Sequence, residues 1–294
     1  HQMISLIVCS RHQQPLPSFV QNVEDTIGAA YELVHVDNSA NKYSIFEAYN
    51  FGFAKSKGEF LCFVHEDVYF HSSNWGQKLM QHLSQPNVGI VGFAGGGRVT
   101  LIPDSWKNKR AAIHIIQSDK NKTSTRKVSL PSNFKGNRKE VILLDGVFLA
   151  MNRNLSSIIR FDELLGGFHS YDLDISLQAY DAGYQNYVMY DIDIEHFSRG
   201  YRDKRYFENL IQLFTKWQLK LPAYLADEQP ATCVDDTRNL FRLLYKLVSR
   251  GFSKQEVVSQ ITTFAKRSKS VSMLQNAVVV TVLFHVLNLF SKRK

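Results

Sequence analysis

Cysteine is scarce. The 294 residues hold three, Cys9, Cys62 and Cys233. They are widely separated and in no CxxC spacing, so no disulfide framework is encoded and a reducing compartment, the cytoplasm, is expected. Nothing ahead of the run ISLIVCS supplies the charged and small-residue flanks of a signal peptide. No internal repeat occurs, and GFAGGG at 92–97 lacks the spacing of a dinucleotide-binding fingerprint. Acidic residues are the minority, 27 against 35 Lys and Arg, for a formal charge of +8. That excess favours an anionic partner: a phosphorylated small molecule, an anionic membrane or nucleic acid. No nucleic-acid-binding motif accompanies it, and the basic residues gather in one central stretch and in the tail, so nucleic acid is not expected. With 44% apolar and 21% charged residues, the composition is that of a globular protein.

What the chain does have is alternation. ISLIVCS reads as a fully buried strand, YELVHVDNS, EFLCFV and VGIVGFAG as three further strands, and stretches near 17–29, 44–57 and 75–85 read as helices. Strands alternating with helices predict an α/β protein, a mostly parallel sheet flanked by helices on both faces. Ligands of such sheets bind outside the carboxyl ends of the strands, where Asp37 and Asp67 both fall. Residues 95–140 are rich in Gly, Asn, Ser, Lys and Arg with little periodicity, and are expected to form an irregular excursion. Lys107, Lys109, Arg110, Lys120, Lys122, Arg126 and Lys127 make it basic enough to close over a diphosphate. Order returns with VILLDGVFLAMNR, read as one strand, and beyond residue 201 the pattern becomes helical. Two domains are expected, 1–200 and a helical extension over 201–294.

Four short motifs then appear in order. Asn50, Gly52 and Ala54 precede GEFLCFVHED; the strand-end turn is Asp37-Asn38-Ser39; and FDELLGGFHSYDLDISLQAYDAGY follows the central excursion. Together they resemble family 2 glycosyltransferases, whose fold is the Rossmann-like GT-A fold, over about residues 4–200. The resemblance implies transfer of a sugar from a nucleoside-diphosphate sugar, with inversion, to an acceptor hydroxyl. It places Asp37, Ser39, Asn50, His65, Glu66 and Asp145 at the donor, with Asp67 and His196 as metal ligands. It makes Asp172 the base that takes the acceptor proton. His65 stands where the family has the first aspartate of its DxD motif, and Tyr171 where it often has glutamate.

The chemistry suits those residue types. A departing diphosphate accumulates negative charge that a divalent cation stabilises; carboxylates suit Mg²⁺ or Mn²⁺, and an imidazole ligand tilts the choice to Mn²⁺. Inverting attack needs a single base opposite the leaving group. Each residue also has a plainer reading: Asp37 as an Asx turn, Asp145 as a capped buried aspartate, His196 as a structural histidine. Two rival functions follow, a nucleotide-sugar-binding module without turnover and a nucleotidyltransferase. The second would want a glycine-rich phosphate loop after the first strand, where RHQQPLPS stands instead.

The tail, 273–290, is strongly apolar but carries Thr281, His285 and Asn288 along one stripe, with Lys266, Arg267 and Lys269 before it and Lys292, Arg293 and Lys294 after it. It is expected to lie on the cytoplasmic face of a membrane or to pack on protein rather than span. A sugar or lipid-linked acceptor, in polysaccharide or glycoconjugate synthesis, is the expected second substrate.

Overall fold

The computed structural model describes residues 2–107, 111–119, 121, 124–198, 202–268 and 272–291. From the N-terminus run β1 (Ile4–Ser10), α1 (Pro17–Thr26), β2 (Tyr31–Asp37), α2 (Ile45–Lys55), β3 (Phe60–Val64), β4 (Val68–Phe70), α3 (Trp75–Leu83), β5 (Val88–Gly92), β6 (Ala94–Gly96) and β7 (Arg98–Val99). Then come β8 (Ala112–Ser118), β9 (Thr125–Leu130), β10 (Arg138–Val141), β11 (Leu143–Leu144), β12 (Phe148–Asn152), α4 (Tyr171–Asp181), β13 (Gln185–Met189) and β14 (Ile194–His196). Two units result, one of His1–Arg98 and Trp106–Gly200, the other of Val99–Ser105 and Tyr201–Lys294.

The first unit is built on a seven-stranded sheet ordered β10-β13-β5-β12-β3-β1-β2. Strands β1, β2, β3, β5 and β13 run one way, and β12 and β10 run the other. The apolar run of β1 is buried on both faces because helices cover both. Leu6 and Val8 join Phe19, Val23, Ile27, Trp75, Leu79 and Leu83 in one cluster, the α1 and α3 side. On the other face α2 lies against Ile7, so closely that a Cβ at Gly52 would meet Ile7 Cγ2 at 2.4 Å. The glycine of the N-x-G-x-A motif is thus required by helix–sheet packing. Helix α2 starts at a capping box, with Ser44 Oγ accepting from Glu47 N (3.2 Å) and Glu47 Oε2 accepting from Ser44 N (2.8 Å).

The expectation of an irregular excursion over 95–140 is overturned. A second sheet, ordered β11-β6-β8-β14-β4 with β9 outside β8, draws much of its chain from there. β8 and β9 pair antiparallel from Ile113↔Leu130 to Ser118↔Thr125. The β-branched run in AIHIIQS supplies a buried strand, and the exposed TRKVSL rides on it as a charged edge. Arg126 and Lys127 lie on that edge and Lys107 is exposed, while Lys109, Arg110, Lys120 and Lys122 lie outside the described residues. The single strand expected from VILLDGVFLAMNR is three, β10, β11 and β12, with Asp145 and Gly146 turning the chain between the last two.

In the second unit α5 (Lys204–Lys216) and the short β15 (Ala223–Tyr224) lead to α6 (Cys233–Ser249), α7 (Lys254–Ser268) and α8 (Ala277–Ser291). Leu240, Leu243, Leu244, Leu247, Val257, Ile261 and Phe264 are buried there. Among the described residues no helix is long and apolar enough to cross a membrane.

Candidate metal and donor site

Strand pairing assembles this site. β3 delivers His65, Glu66 and Asp67 just past its end, beside its antiparallel neighbour β12, and His65 N donates to Val147 O (3.2 Å). The antiparallel register of β4 and β14 sets His196 opposite Val68, and Phe197 N donates to Asp67 O (3.0 Å). His196 thereby arrives at the turn that carries Asp67.

Three side chains converge. Asp67 Oδ1 lies 3.8 Å from His65 Nδ1 and 3.5 Å from His196 Nε2, and one ligand atom from each residue falls within 4.8 Å of the others. His196 Nε2 is buried without a hydrogen-bond partner. Such an atom costs about 1–3 kcal/mol if left unmatched. A cation bound by this nitrogen and by the Asp67 carboxylate would satisfy it, so the residues present fit a divalent metal. Burial holds His65 below the ordinary imidazole pKa despite the pull of Asp67, which keeps it neutral, the form that ligates. Burial alone would raise the Asp67 carboxyl, but the imidazoles of His196 and His65 hold it below the usual carboxylate value.

His65 is oriented from behind. Its Nε2 lies 2.9 Å from Tyr171 Oη, and that hydroxyl donates to Gly146 O (3.0 Å). With the hydroxyl proton committed to the carbonyl, the imidazole must donate from Nε2–H, which leaves the Nδ1 lone pair on the Asp67 side. A Cβ at Gly146 would meet Tyr171 Oη at 2.1 Å, so glycine is needed there. The Tyr171 ring packs edge-on against Phe46 and Tyr49.

Asp172 follows in the first turn of α4. Its Oδ2 accepts from Gly146 N (2.9 Å) and its Oδ1 from Leu173 N (2.9 Å). Burial, with the nearby charge of Asp145, pushes its carboxyl up to about 7. Asp174, two residues on, is buried and accepts from Gln178 Nε2 (2.7 Å), so the two carboxylates take different surroundings. Asp145 accepts from Val147 N (3.1 Å) at Oδ1 and from Trp106 Nε1 (3.0 Å) at Oδ2.

The other expected donor residues make different contacts. Glu66 turns back toward β1, its Oε2 accepting from Ser10 Oγ (2.5 Å). Asp37 forms an Asx turn, Oδ1 accepting from Ser39 N (2.9 Å), and Ser39 is exposed beside it. Asn50 Nδ2 donates to Phe161 O and Glu163 Oε1, both at 2.8 Å, tying α2 to the segment before α4. None of these hydrogen bonds reaches the His65–Asp67–His196 cluster. Sequence reasoning missed Trp106 and the supporting parts played by Tyr171 and Gly146; a lone tryptophan in a polar stretch and a tyrosine at a motif position were the available signals.

Sheet order, strand ends and the His–Asp–His cluster together define a GT-A fold with a candidate metal centre. The sequence profile of the "Glycosyltransferase like family" matches residues 5–214, and the chain belongs to that family. A search of curated proteins gives no match. Among solved structures, the chain is similar to S. aureus TarS 1–349 in complex with UDP-GlcNAc, at 13% identity and a TM-score of 0.57, covering 100% of this chain and 92% of that one. It is also similar to GalNAc-T7 with UDP, GalNAc and Mn²⁺, at 13% identity and a TM-score of 0.53, covering 91% of this chain. The match spans about half, 54%, of the GalNAc-T7 chain. At such identities the likeness is one of fold.

Proposed function

We propose that the protein is an inverting glycosyltransferase, moving a sugar from a nucleoside-diphosphate sugar to an acceptor hydroxyl. The observation that carries this reading is the pairing of a partnerless buried His196 Nε2 beside Asp67 with a carboxyl at Asp172 poised near neutral pH. Asp67, His196 and His65 would hold the metal, with imidazole ligands favouring Mn²⁺ over Mg²⁺. When bound, the cation neutralises charge developing on the departing diphosphate. Asp172, held by two backbone N–H groups, accepts the proton of the attacking hydroxyl. Asp145, whose charge acts on both His65 and Asp172, would line the sugar site. The Asp37–Ser39 turn and Asn50 frame the nucleoside side.

The acceptor would be a sugar or lipid-linked sugar, in polysaccharide or glycoconjugate synthesis at the cytoplasmic face of a membrane. The free cysteines suit a reducing compartment.

The test is thermal stability against a panel of nucleoside diphosphates, with and without Mn²⁺, for the wild type and Asp67→Ala. UDP heads the panel because both solved neighbours carry uridine nucleotides. A ligand at a hundredfold excess over its Kd stabilises by about 2.7 kcal/mol. The expected result is a Mn²⁺-dependent rise with one nucleotide, absent in Asp67→Ala. No rise with any nucleotide would overturn the donor site. A rise without slow hydrolysis of the matching nucleotide sugar would reduce the protein to a binding module.

A further inference from the structure

Helix α8 is the most apolar helix of the chain and the least covered. AVVVTVLFHVLNLFS carries no charged side chain. Yet Val280 alone is buried among its residues with described side chains. Val278 is 70% exposed, Val282 56%, Val286 44% and Leu289 69%. Their spacing of four, four and three puts them on one continuous arc of the helix, joined by exposed His285. Thr281 and Asn288 flank that arc on one side. The polar stripe read from the sequence is thus present, but the face beside it that meets solvent is apolar.

Three observations say what covers this face. At about 1.5 Å per residue, the fifteen described residues of α8 reach about 22 Å, short of a hydrocarbon core of about 30 Å. Basic residues bracket it in sequence, Lys266, Arg267 and Lys269 on one side and Lys292, Arg293 and Lys294 on the other, with no acidic residue from 257 to the C-terminus. α6, which packs with α7 and α8, shows the same chemistry on its own outer face. There Val234, Phe241 and Tyr245 are exposed beside Arg238, Arg242 and Lys246, with Asp235 in an ion pair to Arg238 (3.7 Å). An uncovered apolar arc bracketed in sequence by Lys and Arg, with no carboxylate side chain between 257 and 294, is complementary to an anionic lipid surface, which takes apolar residues at the acyl boundary and binds Lys and Arg at its headgroups.

We propose that α8, supported by the basic and aromatic face of α6, docks the protein flat on an anionic membrane. The proposal stands on the second unit alone and requires neither nucleotide nor metal, so it and the transferase reading can fail separately.

The test is co-sedimentation of the full chain with vesicles of phosphatidylcholine, and of phosphatidylcholine with a third of the lipid as phosphatidylserine. The comparison is with the double variant Val282→Glu/Leu289→Glu, whose positions are exposed and whose folding is checked by thermal melting. The wild type is expected to partition onto the anionic vesicles, weakly onto neutral ones, and to be released by salt. The variant is expected to bind at least about tenfold less. Failure of the wild type to sediment with anionic vesicles would overturn the proposal. So would equal binding by the variant, or a wild-type dimer that the two glutamates dissociate while vesicle binding stays unchanged, which would assign the face to a second copy of the chain.

Discussion

Tyr171 stands where the resembled family often has an acid, and its hydroxyl would fit His65 for the metal role proposed for it. The hydroxyl proton goes to Gly146 O, so its oxygen accepts from His65 Nε2, and the other imidazole nitrogen is left with a lone pair for a cation. Partners of this kind behind a metal ligand are typically worth ten- to hundredfold in metal affinity. Tyr171→Phe preserves the ring packing and removes only the oxygen. Mn²⁺ affinity by titration calorimetry is expected to fall about ten- to hundredfold, with a stability loss of about 1–3 kcal/mol from the unpaired Gly146 O and His65 Nε2. Unchanged affinity with the same stability loss would make Tyr171 structural. At the neighbouring residue the sign of the pH effect follows from Asp172. Its carboxyl is raised to about 7 by burial and by Asp145, and a base works only when ionised. The transfer rate should therefore rise with pH and level off above about 7. Asp172→Asn should lose that limb along with about 10²–10⁴-fold of the rate, read from kcat/KM against pH.

Elements differ in how openly the sequence declares them. β1, β3 and β5 were legible because each is a short apolar run bounded by polar residues, β2 because it is a β-branched stretch closed by the Asp37 turn, and α2 as a helical stretch broken at Gly58. Asp67 was legible as a strand-end carboxylate. The second sheet was not, since β9 is a mostly exposed edge whose Thr, Arg, Lys and Ser side chains give no period. Nor could the sequence pair β4 with β14, a long-range contact between three-residue strands, although that pairing brings His196 to Asp67. Its histidine was found through the resemblance, not through periodicity. Gly52 tests the packing of α2 on β1 directly. Replacing glycine inside a helix gains some tenths of a kcal/mol in propensity, but a branched side chain forced against Ile7 costs about 1–3 kcal/mol. Overpacking wins, so Gly52→Ala is expected to lower the urea midpoint relative to the wild type and Gly52→Val to lower it further.

At the scale of the whole chain, the sequence suggests a cut near residue 200, where composition turns helical. The second unit nevertheless includes Val99–Ser105 from the N-terminal part. Val99 and Ile102 are buried, at 3% and 0% exposure, and the Asp104 carboxyl is raised by burial against the opposing charges of Arg242 and Arg202. A chain ending at 200 would keep those seven residues and lose the helices they belong with. Two large β-branched side chains brought from burial into water forfeit about 1.5–3 kcal/mol each, and they would do so as an apolar patch. Residues 2–200 alone are therefore expected to aggregate and to bind a hydrophobic dye more strongly than the full chain. The same truncation with Val99 and Ile102 changed to Ser should recover solubility and, if the donor site belongs to the first unit, its Mn²⁺-dependent thermal response as well. Recovery of solubility without that response would mean that the donor site needs the helical unit, and would turn the apparent appendage into part of the binding machinery.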